Sequence, residues 1–359
     1  MKYLNALNKI DGVGSQKLAL LMAHFGSAEK IWKADFSELV RTGLSEKLAE
    51  KIVVEKNNIN PDQEWEKLQK ENISLITLND PDYPRLLKEI HNPPYILYIK
   101  GDASLLNSPC LAVVGSRKYT SYGHQVANAF GRDLASAGIT VVSGLALGID
   151  AIAHKGALEK NGKTIAVLGN SLDEKSIYPK TNFDLSREIL SCGGTLVSEY
   201  PIETPPGVGT FPARNRIMAG MTLGTIVVEA ALGSGSLITA NLALDFNREV
   251  FAVPGSIFYP QSEGTHKLIK SGAKLVSSIS DILEELKLEK TGKIQAKNSY
   301  TPSSKEEENI LNILSQEPTH IDRIIKLTKL ETSVIGGTLA ILEINGAVKN
   351  IGGQNYILS

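Results

Sequence analysis

Residues 111–123 read LAVVGSRKYTSYG: a continuous apolar run, then a glycine, a serine and an arginine, then a polar stretch that opens a helical pattern. A strand that is apolar at consecutive positions is buried on both faces, as in a parallel sheet covered by helices. The alternation continues through ITVVSG, TIAVLG, TLVSEY, TIVVEA and VFAVPG, separated by amphipathic stretches such as the one through Val126, Phe130 and Leu134. Short apolar strands alternating with helices predict an α/β fold, an extended Rossmann-like parallel sheet spanning residues 107–286.

Outside this core the patterns change. Residues 1–62 are helical, with Leu18, Leu21, Met22 and Phe25 at helical spacing after a turn at Gly12, Val13 and Gly14. That turn suits a helix-hairpin-helix (SAM-like) unit whose amides approach a phosphate; a packed bundle whose glycines only make the turn is the preferred reading. Residues 63–106 form a proline-rich connecting segment around one short strand, YILYI, and residues 287–305 are a polar linker. Residues 306–359 show three helical patterns and a hairpin at IGG, the layout of a winged helix. Residues 305–359 carry five Lys/Arg against seven Asp/Glu, and the candidate recognition helix ETSVIGGTLAILEIN carries no cation. A protein-interaction role fits this unit better than reading a DNA groove.

The 359 residues are enough for two or three domains, with 42% hydrophobic and 21% charged residues, an ordinary globular composition. No apolar run reaches the roughly 18 residues that span a bilayer and no signal peptide opens the chain, so a cytoplasmic protein without membrane contact is expected. The two cysteines, Cys110 and Cys192, stand far apart without metal-site spacing and are expected to be buried thiols. Net charge is -1, so any affinity for a polyanion must come from a local arrangement.

In an open parallel sheet, ligands sit at the carboxyl ends of strands, beside helix N-termini with free amides. The loops there are rich in small residues: Gly115, Ser116 and Arg117; Ser143 and Gly144; Gly169 and Asn170; Gly233, Ser234, Gly235 and Ser236. Tight strand-to-helix turns alone could require these glycines, but four such loops on one sheet edge point to an anion site. FPARNR places Arg214 and Arg216 two apart, and an extended segment or a helix start would let both project from one rim. Structural pairing with Glu199, Glu203 or Glu229 is the competing reading, most evenly balanced for Arg216. Lys180 in YPKTN offers a further charge.

Enzyme signatures fail on spacing. GALEKNGKT (156–164) has five residues between its glycines, one too many for a Walker A loop, and the strand follows it. No GxGxxG with a ribose-binding acid is present, and His154 lacks a nucleophile or metal partner. No cofactor and no metal site is expected.

Taken in order, VGSRKYTSYG, SGLALGIDAIAH, TIAVLGNSLDEKSIYPKTN, SEYP, FPARNRIMAG, EAALGSGSLITA and AVPG closely resemble the DNA processing protein A (DprA, Smf) family from residue 111 to about 275. The resemblance implies a non-enzymatic protein that binds single-stranded DNA and loads the RecA recombinase in natural transformation. It also implies a homodimer through HKLIKSGAKLV. By motif, Gly115, Ser116, Arg117, Lys180, Arg214 and Arg216 line the DNA site, and Tyr178 stacks on a base. Family members often carry a further cation just before FPxRNR; TPPGVGT here has none, which shifts weight to Arg117 and Lys180.

The enzymatic alternative is a nucleoside monophosphate N-glycosidase of the lysine-decarboxylase-like group, marked by PGGxGTxxE. PPGVGTFPAR (205–214) echoes it only in part, with Ala213 or Arg214 where the glutamate belongs, so the oxocarbenium ion lacks its stabiliser.

Overall fold

A computed structural model describes residues 1–288, 302–315 and 317–358. The chain divides into two compact units, residues 1–292 and 293–359.

The larger unit is built on a nine-stranded sheet, ordered β1-β2-β6-β5-β4-β3-β7-β8-β9. The strands are β1 (Ser74–Thr77), β2 (Ile96–Gly101), β3 (Cys110–Val114), β4 (Thr140–Ser143), β5 (Thr164–Val167), β6 (Thr195–Ser198), β7 (Gly224–Val227), β8 (Glu249–Ala252) and β9 (Lys274–Leu275). From β6 to β9 every pairing is parallel; β2 runs antiparallel to β6 and β1 to β2. The six apolar runs of the core are the six strands β3 to β8. Their side chains alternate between two covered faces, as a period of two requires. Leu111 and Val113 pack with Phe130, Ile152 and Ala153 on one side; Cys110 and Val114 pack with Ile217, Met218 and Ala240 on the other.

Chain order and sheet order part company at β3, which pairs with β4 on one side and β7 on the other. This is the topological switch point of a doubly wound sheet, where the loops leaving two neighbouring strands diverge and open a crevice.

The expected divisions at residues 62 and 106 do not mark separate units. Leu4, Leu7, Leu18 and Leu21 of the N-terminal helices share one apolar cluster with Leu145, Leu168 and Leu196 of the core. Tyr98 in β2 donates its hydroxyl to Asn5 at 2.8 Å and accepts from Asn8 at 3.1 Å. The "connecting segment" thus adds two strands to the sheet and seats the helical bundle on it. One cysteine also departs from expectation. Cys110 is buried, its thiol pushed up to about 12 by desolvation, but Cys192 follows the last turn of the helix Phe183–Ser191 and is exposed.

The smaller unit has helices Lys305–Ile313, Ile321–Thr328 and Thr332–Ile344 with strands β10 (Thr319–His320), β11 (Val348–Asn350) and β12 (Asn355–Leu358), ordered β10-β12-β11. Ile310, Ile324, Ile335, Leu339 and Leu342 fill its core, as a winged helix requires. Residues 289–301 of the expected linker lie outside the described residues.

Candidate nucleic-acid interface

At the switch point lies a cavity of about 600 Å³ between the loops that follow β3 and β7, floored by the helix Thr210–Met221. Its wall on the β3 side is GSRK. The Ser116 amide donates to the Glu229 carbonyl at 2.7 Å, and the Ser116 hydroxyl closes a turn by donating to the Lys118 carbonyl at 2.8 Å. Gly148 adopts φ +83°, and a Cβ there would stand 2.4 Å from the Ser116 carbonyl oxygen, so only glycine lets the β4 loop nest against GSRK. This leaves Arg117 and Lys118 exposed on the wall, and the Arg117 guanidinium has no ion-pair partner among the described residues.

Opposite, Gly233, Ser234, Gly235 and Ser236 lead into the helix Gly235–Asp245. Ser234 is its N-cap, its hydroxyl accepting from the Ser236 amide at 3.4 Å. Glu229, considered above as an arginine partner, is occupied elsewhere: its carboxylate accepts from the amide of Thr120 at 2.9 Å and from the Thr120 hydroxyl, fixing the start of the helix Ser121–Ser136.

Arg214 reaches the cavity from below. It is only 5% exposed and donates from Nη1 to the carbonyls of Gly144, at 2.6 Å, and Val167. The Gly144 amide donates in turn to Asp150 Oδ2 at 3.0 Å. Burial lowers the Arg214 guanidinium to about 10, with Asp150 opposing and Arg117 adding to the shift, and burial raises the Asp150 carboxyl against the pull of Arg214. At neutral pH Arg214 therefore keeps its charge, fixed in the floor and directed by carbonyl dipoles.

Arg216 does not join it. Both arginines lie inside one helix, where residues two apart point about 200° from each other. The Arg216 Nη2 pairs with Glu199 Oε2 at 2.6 Å in the interior, both side chains largely buried, and Arg216 does not line the cavity. Ser143 and Gly144 are a second correction. Ser143 is still within β4 and fully buried, its hydroxyl donating to the Val113 carbonyl at 2.6 Å, while both polar groups of the Gly144 backbone are engaged by Asp150 and Arg214.

Lys180 and Tyr178 stand beside the cavity rather than in its wall. Lys180 is exposed and its ammonium donates to the Lys175 carbonyl at 2.5 Å. Asn182 ties this segment to the β4 loop by donating to the carbonyls of Leu145, at 2.9 Å, and Ala146, at 3.1 Å. The exposed Tyr178 ring lies 5.8 Å from that of Phe211, which lines the cavity. Sequence reading singled out the FPARNR motif but missed Phe211; an aromatic beside arginines is the signal that would have found it. Asp150 was also missed, since a carboxylate serving an arginine through the backbone of a third residue leaves no mark in spacing.

The fold and the crevice define a doubly wound α/β core with a cationic, glycine-rich site at its switch point, carried on a chain with a winged helix. The family described as DNA recombination-mediator protein A matches residues 74–287, and the DprA winged helix domain matches residues 295–354. Protein Smf of Synechocystis is 37% identical over 99% of this chain and 98% of its own length. DNA processing protein DprA of Bacillus subtilis is 40% identical over 72% of this chain and 89% of its own. DprA from Streptococcus pneumoniae superposes with a TM-score of 0.68 at 35% identity, covering 79% of this chain and 98% of that one. DprA from Helicobacter pylori, solved to explain its single-stranded DNA binding mode, gives 0.54 at 35% identity over 60% of this chain and 95% of its own. The chain belongs to the DNA processing protein A (Smf) family.

Proposed function

We propose that this DNA-processing protein binds single-stranded DNA in the switch-point cavity and hands it to a RecA-type recombinase, without catalysing a reaction on it. One observation carries the reading: Arg117 stands exposed on the wall, with no ion-pair partner among the described residues, while Arg214 is held charged in the floor of the same crevice. Phosphates meet Arg117 and Lys118 and the open amide end of the helix Gly235–Asp245. Bases lie against Phe211 and, beside it, Tyr178, which accept any base because every base has a π-face. Lys180 contributes charge at the rim. Arg216 supports the helix that carries Arg214.

The non-enzymatic reading is supported by the state of the cavity's carboxylate: Asp150 is engaged by the Gly144 amide below the surface. Arg214, next to Ala213 at the place where the glycosidase pattern wants a glutamate, brings positive charge, which disfavours an oxocarbenium ion. The family supports transfer to RecA in the cytoplasm, and dimer formation through residues 266–276. The two-residue edge strand β9, with Leu275 exposed, suits that last role. Among the described residues no helix is long and apolar enough to cross a membrane.

Gel-shift titration of single- and double-stranded oligonucleotides with wild type and Arg117→Ala tests the site. Strong single-strand preference, lost in the variant with folding intact, is expected; equal affinity for both DNAs, or an unaffected variant, overturns it. RecA filament formation on protein-coated single strands tests the transfer step.

A further inference from the structure

The loop after β8, residues 254–260 (PGSIFYP), holds three consecutive large apolar side chains in solvent. Ile257 is 79% exposed, Phe258 85% and Tyr259 54%, the one run of three such residues among those described. A surface loop with no binding role is ordinarily polar.

The loop is a held turn. The Tyr259 amide donates to the Ser256 carbonyl at 3.2 Å, and the Phe258 amide to the Ser256 hydroxyl at 3.3 Å. It is also tied to both segments that form the cavity. Tyr122, on the helix that follows GSRKYT, donates its hydroxyl to the Pro254 carbonyl at 2.8 Å. Gln261, immediately after the loop, lines the cavity, and its carbonyl accepts from the Ala230 amide of the β7 loop at 2.7 Å. Between Glu249 and Glu263 the chain has no charged residue, so nothing on the loop repels a phosphate backbone.

We propose that Phe258 and Tyr259 form a second stacking platform, on which the single strand lays the bases of nucleotides just outside the cavity while Arg117 and Lys118 keep hold of its phosphates. The platform lies on the same sheet edge as the cavity and offers rings but no charge, the complement of a wall that offers charge. The inference rests on the single-strand reading above and extends its footprint towards β8. A second copy of the chain is the competing occupant.

The test uses the full chain, with Phe258→Ala and Tyr259→Ala, and labelled oligothymidylates of about 4 and about 16 nucleotides, the range of known single-strand sites. Each variant is expected to weaken binding of the long strand by about 5- to 150-fold, the effect of losing one stacked base. Affinity for the short strand, melting temperature and salt slope stay as in wild type. Phe258→Trp is expected to bind normally and to show fluorescence quenching with the long strand only, above the background of Trp32 and Trp65. Unchanged long-strand affinity in both alanine variants, while Arg117→Ala weakens binding of both strands, overturns the platform and leaves the cavity standing. If Arg117→Ala binds normally, the underlying reading fails first. Loss of dimers in the alanine variants, read by light scattering, assigns the loop to a protein interface and equally overturns the platform.

Discussion

Arg214 and Asp150 are joined through the backbone of a single residue: the Gly144 carbonyl accepts from the guanidinium at 2.6 Å and the Gly144 amide donates to the carboxylate at 3.0 Å. The carboxylate thus steadies the arginine without neutralising it by direct contact. A guanidinium held this way is pre-set for a phosphate and loses little side-chain freedom on binding.

Gly144 is the weak point of that arrangement. A Cβ there would fall 2.0 Å from Arg214 Nη1, so Gly144→Ala displaces the guanidinium from both carbonyls. We expect a loss of about 1–3 kcal/mol in stability from overpacking, with a large loss of single-strand affinity. Denaturant melts and anisotropy titrations read the two separately; a variant that binds as wild type contradicts the assigned role of Arg214.

Arg117 and Arg216 should separate cleanly. Arg117→Ala removes an exposed side chain with no ion pair among the described residues, so stability should change by less than about 0.5 kcal/mol. The slope of log affinity against log salt should become shallower by about 0.7, one phosphate contact. Arg216→Ala leaves Glu199 buried without its partner and should cost about 3–5 kcal/mol. Binding by that variant should fall only as far as the folded fraction does.

Stability should fall as the solution is acidified, with His154 contributing. Burial, with Arg214 adding to it, holds its imidazole down to about 3 against 6.5 when unfolded. Between those values the unfolded chain takes up a proton that the folded chain refuses, so stability drops as pH is lowered through that window. Asp150 and Glu199, whose carboxyls burial raises, act with the opposite sign. Comparison with His154→Asn isolates the histidine. The variant's stability should decline less steeply from pH 7 to pH 4 in chemical denaturation, and an identical slope would contradict the assignment.

Incubation with nucleoside monophosphates should release no free base above the uncatalysed background. Chromatographic detection of free base that disappears in Asp150→Asn would revive the glycosidase reading.

The strands of the core were legible because burial on both faces writes an uninterrupted apolar run, and β3 to β8 each carry one. The fusion of the helical segment with the sheet was not, since the Tyr98–Asn5 contact depends on tertiary docking that no local pattern records. At the site, the GSR and GSGS segments stand out in sequence as small-residue runs at the ends of apolar strands, and the structure brings both to one cavity. Arg216 was misplaced because spacing of two means the same side on an extended chain and opposite sides on a helix. Ser143 closes β4 rather than opening the loop, a one-position boundary that an apolar run followed by serine and glycine does not mark. The partnering of Glu229 with Thr120 lay beyond sequence, as it joins the loop after β7 to a helix cap 109 residues earlier in the chain.

The two walls of the crevice come from strands whose matched positions are Ala112 and Thr225, with three further strands threaded between them in the chain. A nascent polypeptide emerging from the ribosome therefore carries GSRK long before β7 exists to face it, and parallel pairing at such separation forms slowly. On the single-strand reading, the two halves of the site meet only at that late closure. A chain that ends before β7 is therefore expected to show no single-strand affinity in a gel shift, however well its GSRK segment is made.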